Sequence, residues 1–102
     1  MSTPREQIEA DVKNNKIVIF MKGEKEAPAC GFSARAVEVL KTLNQPIKSV
    51  NVLADEVLWE ELEKFTNWPT VPQIFINGKF IGGCDIITEL QERGELQKMI
   101  SG

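Results

Sequence analysis

The chain has 102 residues, 42% apolar and 26% charged, with a net charge of −3, a length and balance that fit one compact soluble domain over residues 1–102 rather than two. Its lysines and arginines form no basic stripe, which argues against a nucleic-acid partner, and its longest apolar run, Ile17 to Met21, falls far short of the roughly 20 residues of a membrane span. With no histidine and only two cysteines, imidazole acid/base catalysis, Cys/His zinc sites and a disulfide framework are excluded.

The N-terminus lacks the basic-then-apolar pattern of a secretory signal, so a cytoplasmic protein with reduced thiols is expected. Pro4 to Asn15 reads as an amphipathic helix, with Thr3 as N-cap, Glu6 three residues on, and Ile8 and Val12 four apart. Ile17 to Met21 is an unbroken β-rich run, as in a strand buried on both faces. A polar loop follows from Lys22 to Ala29, broken by Gly23 and Pro28.

From Gly31 the spacing becomes helical. Phe32, Ala36, Val37, Leu40 and Leu43 mark a core-facing helix that Asn44 to Pro46 ends. Ile47 to Leu53 predicts a second strand, and Val57, Leu58, Leu62 and Phe65 a second core-facing helix stopping before Asn67. Ile74 to Ile76 and Phe80 to Ile81 flank Asn77-Gly78, a type I′ hairpin signal. Gly82-Gly83 leads through Cys84-Asp85 into a last helix with Ile86, Ile87 and Leu90 inward, continued after Gly94 by Leu96, Met99 and Ile100. The order helix, β-α-β-α-β-β-α implies a four-stranded mixed sheet whose first two strands are parallel through a right-handed crossover. Ligands of such sheets sit beyond the strand C-termini, where Cys30 falls.

Cys30-Gly31-Phe32-Ser33 places one thiol at a helix start and a serine where a C-x-x-C pair has its second cysteine. A hydroxyl cannot close a disulfide, so Cys30 is a lone nucleophile, a metal ligand or a buried structural cysteine. The helix N-terminus and the positive charge of Lys22 and Lys25 favour its thiolate. Pro72 cannot donate to a sheet ladder. A cis bond there would turn the Val71 backbone out to pair with an extended peptide, whereas a trans proline would simply open the strand. Cys84 reads as structural, and Asp85 as a carboxylate at the mouth of the site, an N-cap, or both.

Met21-Lys22-Gly23, Cys30-Gly31-Phe32-Ser33, Asn67-Trp68-Pro69-Thr70-Val71-Pro72-Gln73, Asn77-Gly78 and Gly82-Gly83-Cys84-Asp85 together resemble the monothiol glutaredoxins of the C-G-F-S class. The resemblance covers nearly the whole chain. It implies an α/β thioredoxin-like (glutaredoxin) fold, a four-stranded mixed sheet flanked by helices with an N-terminal helix, and a cis bond before Pro72. It also implies a glutathione groove and a [2Fe-2S] cluster bridged between two protomers by Cys30 and the thiolate of one glutathione from each. On that likeness Lys22 and Lys64 hold the glycine carboxylate of glutathione, Val71 beside Pro72 pairs with its backbone, and Cys84 and Asp85 hold the γ-glutamyl end. Members often carry an arginine at the position matching Trp59, which cannot form that charge-assisted fork; the carboxylate then depends on the lysines or on an aromatic contact.

The resemblance therefore implies an iron-sulfur carrier, monomeric without the cluster and homodimeric with it, serving iron-sulfur client or BolA-like proteins. The alternative is a glutathione-dependent thiol oxidoreductase with Cys30 as sole nucleophile, which Cys30 and Ser33 equally permit. An inert adaptor gives no reason for lysines, proline and Gly-Gly to converge on a thiol.

Overall fold

The computed structural model describes residues 2–101. In chain order it contains α1 (Pro4–Asn14), β1 (Ile17–Met21), the two-residue strands β2 (Gly23–Glu24) and β3 (Ala27–Pro28), and α2 (Gly31–Lys41). Then come β4 (Ile47–Asn51), a 3-10 turn (Val52–Ala54), α3 (Glu56–Thr66), β5 (Gln73–Ile76), β6 (Lys79–Gly82), α4 (Cys84–Glu92) and α5 (Glu95–Ser101). Among the described residues no helix is long and apolar enough to cross a membrane.

The sheet order is β4-β1-β5-β6, with β4 parallel to β1 and the other pairs antiparallel. Strand β1 is buried throughout because its side chains alternate between two cores. Ile17, Ile19 and Met21 pack with Val37 and Leu40 of α2, Ile87 of α4 and Leu96 and Ile100 of α5. Val18 and Phe20 point the other way, onto Ile8 and Val12 of α1 and Leu58 and Leu62 of α3. Each such side chain removed from water contributes on the order of 1.5–3 kcal/mol, so the helices are held on both faces by one strand's alternation.

Local signals fix the element ends. Thr3 Oγ1 accepts the Glu6 N–H at 3.1 Å while the Glu6 carboxylate accepts the Thr3 N–H at 2.9 Å, a reciprocal cap at the start of α1. Asn77 and Gly78 have φ of 52° and 81°, the two positive angles a type I′ turn requires.

Several expectations need correction. The loop after β1 contains the β2–β3 hairpin, which lies beside β4 and covers that edge of the sheet. The second predicted strand ends at Asn51, whose side chain accepts the Leu53 N–H at 3.0 Å and turns the chain into the 3-10 segment. Phe32, Val57 and Ile86, expected in the core, are 67%, 62% and 38% exposed. All three lie in the first turn of their helices, outside the stripe that packs on the sheet. The last predicted helix is two, broken at Gly94 with φ of 72°.

Candidate functional site

Cys30 is itself the N-cap of α2. Its backbone is extended (φ −150°, ψ 155°), and its Sγ accepts the Ser33 N–H at 3.3 Å, a role oxygen side chains usually fill. The Cys30 thiol also lies 3.3 Å from the Ser33 hydroxyl, as donor to its oxygen. Ser33 is fully buried, and its Oγ accepts the Lys22 N–H at 3.3 Å. With that oxygen engaged, the hydroxyl proton is free to turn onto an ionised Cys30. Partial burial pushes the Cys30 pKa up, but the Ser33 hydroxyl, the N–H groups of Ser33 and Phe32, and the Lys22 charge outweigh it and hold the thiol below its ordinary value.

One wall of the site is built around Lys22. Its N–H is on Ser33, its carbonyl accepts the Ala29 N–H at 2.9 Å, and the next N–H, of Gly23, is held by Asn51 Oδ1 at 2.9 Å. That leaves the side chain as the mobile part, and its ammonium stands over the Trp59 ring, 5.8 Å from the centroid. Lys25 is not part of this wall: its ammonium donates to the Ile47 carbonyl and its N–H to Ser49 Oγ. Ile47 pairs with Ile17 at the opposite end of the sheet from Met21, so this charge is drawn away from Cys30. Lys64 is exposed on α3, five residues past Trp59 and therefore about 140° around the helix axis from it.

The other wall starts at Val71 and Pro72, joined by a cis peptide bond. A groove of about 300 Å³ runs between Phe32, Trp68, Val71, Pro72, Cys84, Asp85 and Ile86. Gly83 lies so close to this wall that a Cβ there would sit 3.2 Å from the Pro72 carbonyl oxygen. Cys84 is 6% exposed in the first turn of α4. Asp85 follows it, exposed, in the same turn; Gly83 is the N-cap, so Asp85 complements the helix dipole without capping it. Trp68 packs edge-on against Phe80 at 5.7 Å. A larger depression, about 580 Å³ between the end of α1 and the Asn77-Gly78 turn, lies at the other end of the sheet and is lined by no thiol or hydroxyl side chain.

The glutaredoxin family model matches residues 17–81. The protein named Probable monothiol glutaredoxin 2 of Rickettsia conorii is 54% identical over 93 residues, covering 91% of this chain and 87% of its own. The chain belongs to the glutaredoxin family, on its monothiol side. The fold agrees: the solution structure of reduced poplar apo GrxS14 superposes with a TM-score of 0.85 at 45% identity, covering 95% of this chain and 89% of that one. A crystal structure of a buckwheat glutaredoxin-glutathione complex matches at TM-score 0.85 and 27% identity, over 96% and 87% of the two chains.

For a glutaredoxin the arrangement is that of a single-thiol site. Val71, Pro72, Cys84 and Asp85 line the groove, Cys30 and Lys22 follow β1 at the same end of the sheet without lining it, and Lys64 is exposed on α3. Among the described residues no group of three or more His, Cys, Asp or Glu side chains is gathered to hold a metal. Sequence singled out Ser33 only as the residue in place of a second thiol, not as a buried bridge between Cys30 and Lys22, and did not single out Asn51, the anchor of Gly23, or Gln73, whose Nε2 donates to the Trp68 and Thr70 carbonyls at 2.9 Å. The available signal was a polar residue inside an apolar pattern, which demands a partner when buried.

Proposed function

We propose that this glutaredoxin binds glutathione in the groove beside Cys30 and carries a [2Fe-2S] cluster held by Cys30 and the glutathione thiolate. The observation that carries the reading is the half-exposed, thiolate-favouring Cys30 with the Ser33 hydroxyl, rather than a second thiol, 3.3 Å away. Glutathione is an extended peptide with a carboxylate at each end and an α-amine at one. Lys22 suits the glycine carboxylate, with Lys64 adding positive field from α3, the Val71 backbone suits the peptide, and Asp85 with the start of α4 suits the γ-glutamyl end. The buckwheat relative in complex with glutathione supports the same ligand here.

The donor chemistry sets the assembly. A two-iron cluster takes four thiolates, and Ser33 is a poor ligand for soft iron-sulfur chemistry. One Cys30 and one glutathione from each of two chains complete the set, so the loaded form is a homodimer and the empty one a monomer. Cluster clients and BolA-like proteins are the partners this reading entails, in a reducing cytoplasm.

The visible absorption spectrum of protein purified without oxygen tests it. Iron-sulfur absorption that disappears when glutathione is removed is expected; a colourless protein under both conditions contradicts the carrier reading. A second reading, glutathione-dependent disulfide reduction by Cys30, is favoured by its lowered pKa, and rapid turnover of glutathionylated substrate by cluster-free protein would support it instead.

A further inference from the structure

Gln73 and Ser33 are the fully buried polar side chains among the described residues. Gln73 opens β5 directly after Pro72, and its Nε2 lies 2.9 Å from both the Trp68 and the Thr70 carbonyl oxygens. Only the nitrogen of an amide can face two acceptors, which fixes its orientation. The consequence is that Oε1, on the other side, is buried with no partner.

A buried acceptor without a donor is destabilising, and an apolar side chain of similar shape would avoid it. Against that cost stand the two part-buried Nε2 bonds, so the two contributions oppose each other and the amide's net effect on stability is small. Its clearer effect is geometric: by joining carbonyls three and five residues back, the amide closes residues 68–73 into a loop. That loop forms the groove wall carrying Trp68 and Val71. Trp68 is thereby held twice, at its ring by Phe80 and at its backbone by Gln73.

We propose that Gln73 is a positioning residue whose amide keeps residues 68–72 in the shape that receives an extended thiol peptide along Val71. The inference rests on the glutathione reading above. Gln73 itself lies behind the wall and is absent from the groove lining, so it acts by holding the wall rather than by touching the ligand. Preorganisation of this kind lowers the ordering cost of binding.

The test is Gln73→Met, which keeps length and removes both the orphaned Oε1 and the Nε2 donor to the two carbonyls. Its unfolding temperature is expected to stay close to that of the unsubstituted chain, while its Kd for glutathione weakens about ten-fold. Backbone order parameters of residues 68–71 are expected to fall from a rigid value of about 0.85 toward the flexible range. Unchanged glutathione affinity overturns the proposal. So does a variant that fails to fold or loses stability and affinity together, because Gln73 would then be a stabilising residue. A second measurement needs no variant: in the unsubstituted chain both Nε2 protons should exchange at least about ten-fold more slowly than those of an exposed glutamine, and free exchange overturns the inference. An unsubstituted chain that binds no glutathione overturns the glutathione reading itself, while the proton protection still reports whether the amide holds the loop.

Discussion

The ammonium of Lys22 lies 5.8 Å from the centroid of the Trp59 ring, so Trp59 positions a cation rather than supplying one. A half-exposed contact of this type contributes roughly 0.5–1 kcal/mol. Its larger effect is to hold a flexible side chain in one place, which lowers the ordering cost of any interaction its ammonium makes.

Lys22→Ala is expected to weaken glutathione binding by about 1–3 kcal/mol, the range for hydrogen bonds to charged groups. Trp59→Ala should cost roughly 0.5–1 kcal/mol by releasing Lys22, and Trp59→Arg should tighten binding by adding a forked cation. Titration calorimetry on the cluster-free protein measures all three. Looser binding in Trp59→Arg would mean the ring does more for the carboxylate than a guanidinium does.

The Cys30 thiol should titrate below the ordinary cysteine value of about 8.5. Burial opposes its thiolate, but Ser33, Phe32 and Lys22 outweigh it, so alkylation rate should rise with pH through a midpoint below that value. Ser33→Ala removes the hydroxyl and should move the midpoint upward. By linkage, the depressed pKa adds stability fully present above the unfolded thiol's pKa and lost as pH falls through the folded one. A midpoint at or above about 8.5 would remove the basis for an activated thiol.

Gly23 has φ of +88°, and a Cβ there would lie 2.6 Å from the Ala29 nitrogen and 2.7 Å from the Ala27 oxygen. Gly23→Ala should destabilise the fold by at least about 1–3 kcal/mol from backbone strain alone, read by urea denaturation. Because the Gly23 N–H anchors the Lys22 wall to Asn51, glutathione affinity should fall as well.

The two cysteines differ in access: Cys84 is 6% exposed and packed into the core beside Ile87, while Cys30 is half-exposed. After reconstitution, Cys30→Ser should retain no iron or sulfide and Cys84→Ser most of both. Equal loss in the two variants would assign Cys84 a ligand role.

The framework was legible because its signals are local. Thr3 with Glu6, the unbroken run Ile17 to Met21, and Asn77-Gly78 each carry their own geometry, and the structure follows them residue for residue. What failed was direction. Phe32, Val57 and Ile86 match a helical period, yet sit in first turns that project past the sheet. Lys25 and Lys22 share a loop, but the β2–β3 hairpin that sends Lys25 to the Ile47 carbonyl consists of two-residue strands lying beside β4, too short to carry a strand pattern in sequence. The site was legible as a set of residue types, since a thiol, a lysine, a proline and Gly-Gly announce themselves. Its supports were not, because the roles of Ser33, Asn51 and Gln73 exist only through partners far away in the chain or hidden by burial.

The count of chains, glutathiones and irons in the loaded protein tests the central claim most directly. Sedimentation of the loaded and cluster-free forms, with iron, sulfide and glutathione quantified, is predicted to give a monomer when empty and, when loaded, a homodimer holding one two-iron cluster by four thiolates. Two of those thiolates are Cys30 and two are glutathione, and removing the cluster should return the dimer to monomer. A loaded monomer, or a dimer whose cluster survives removal of glutathione, would contradict this account.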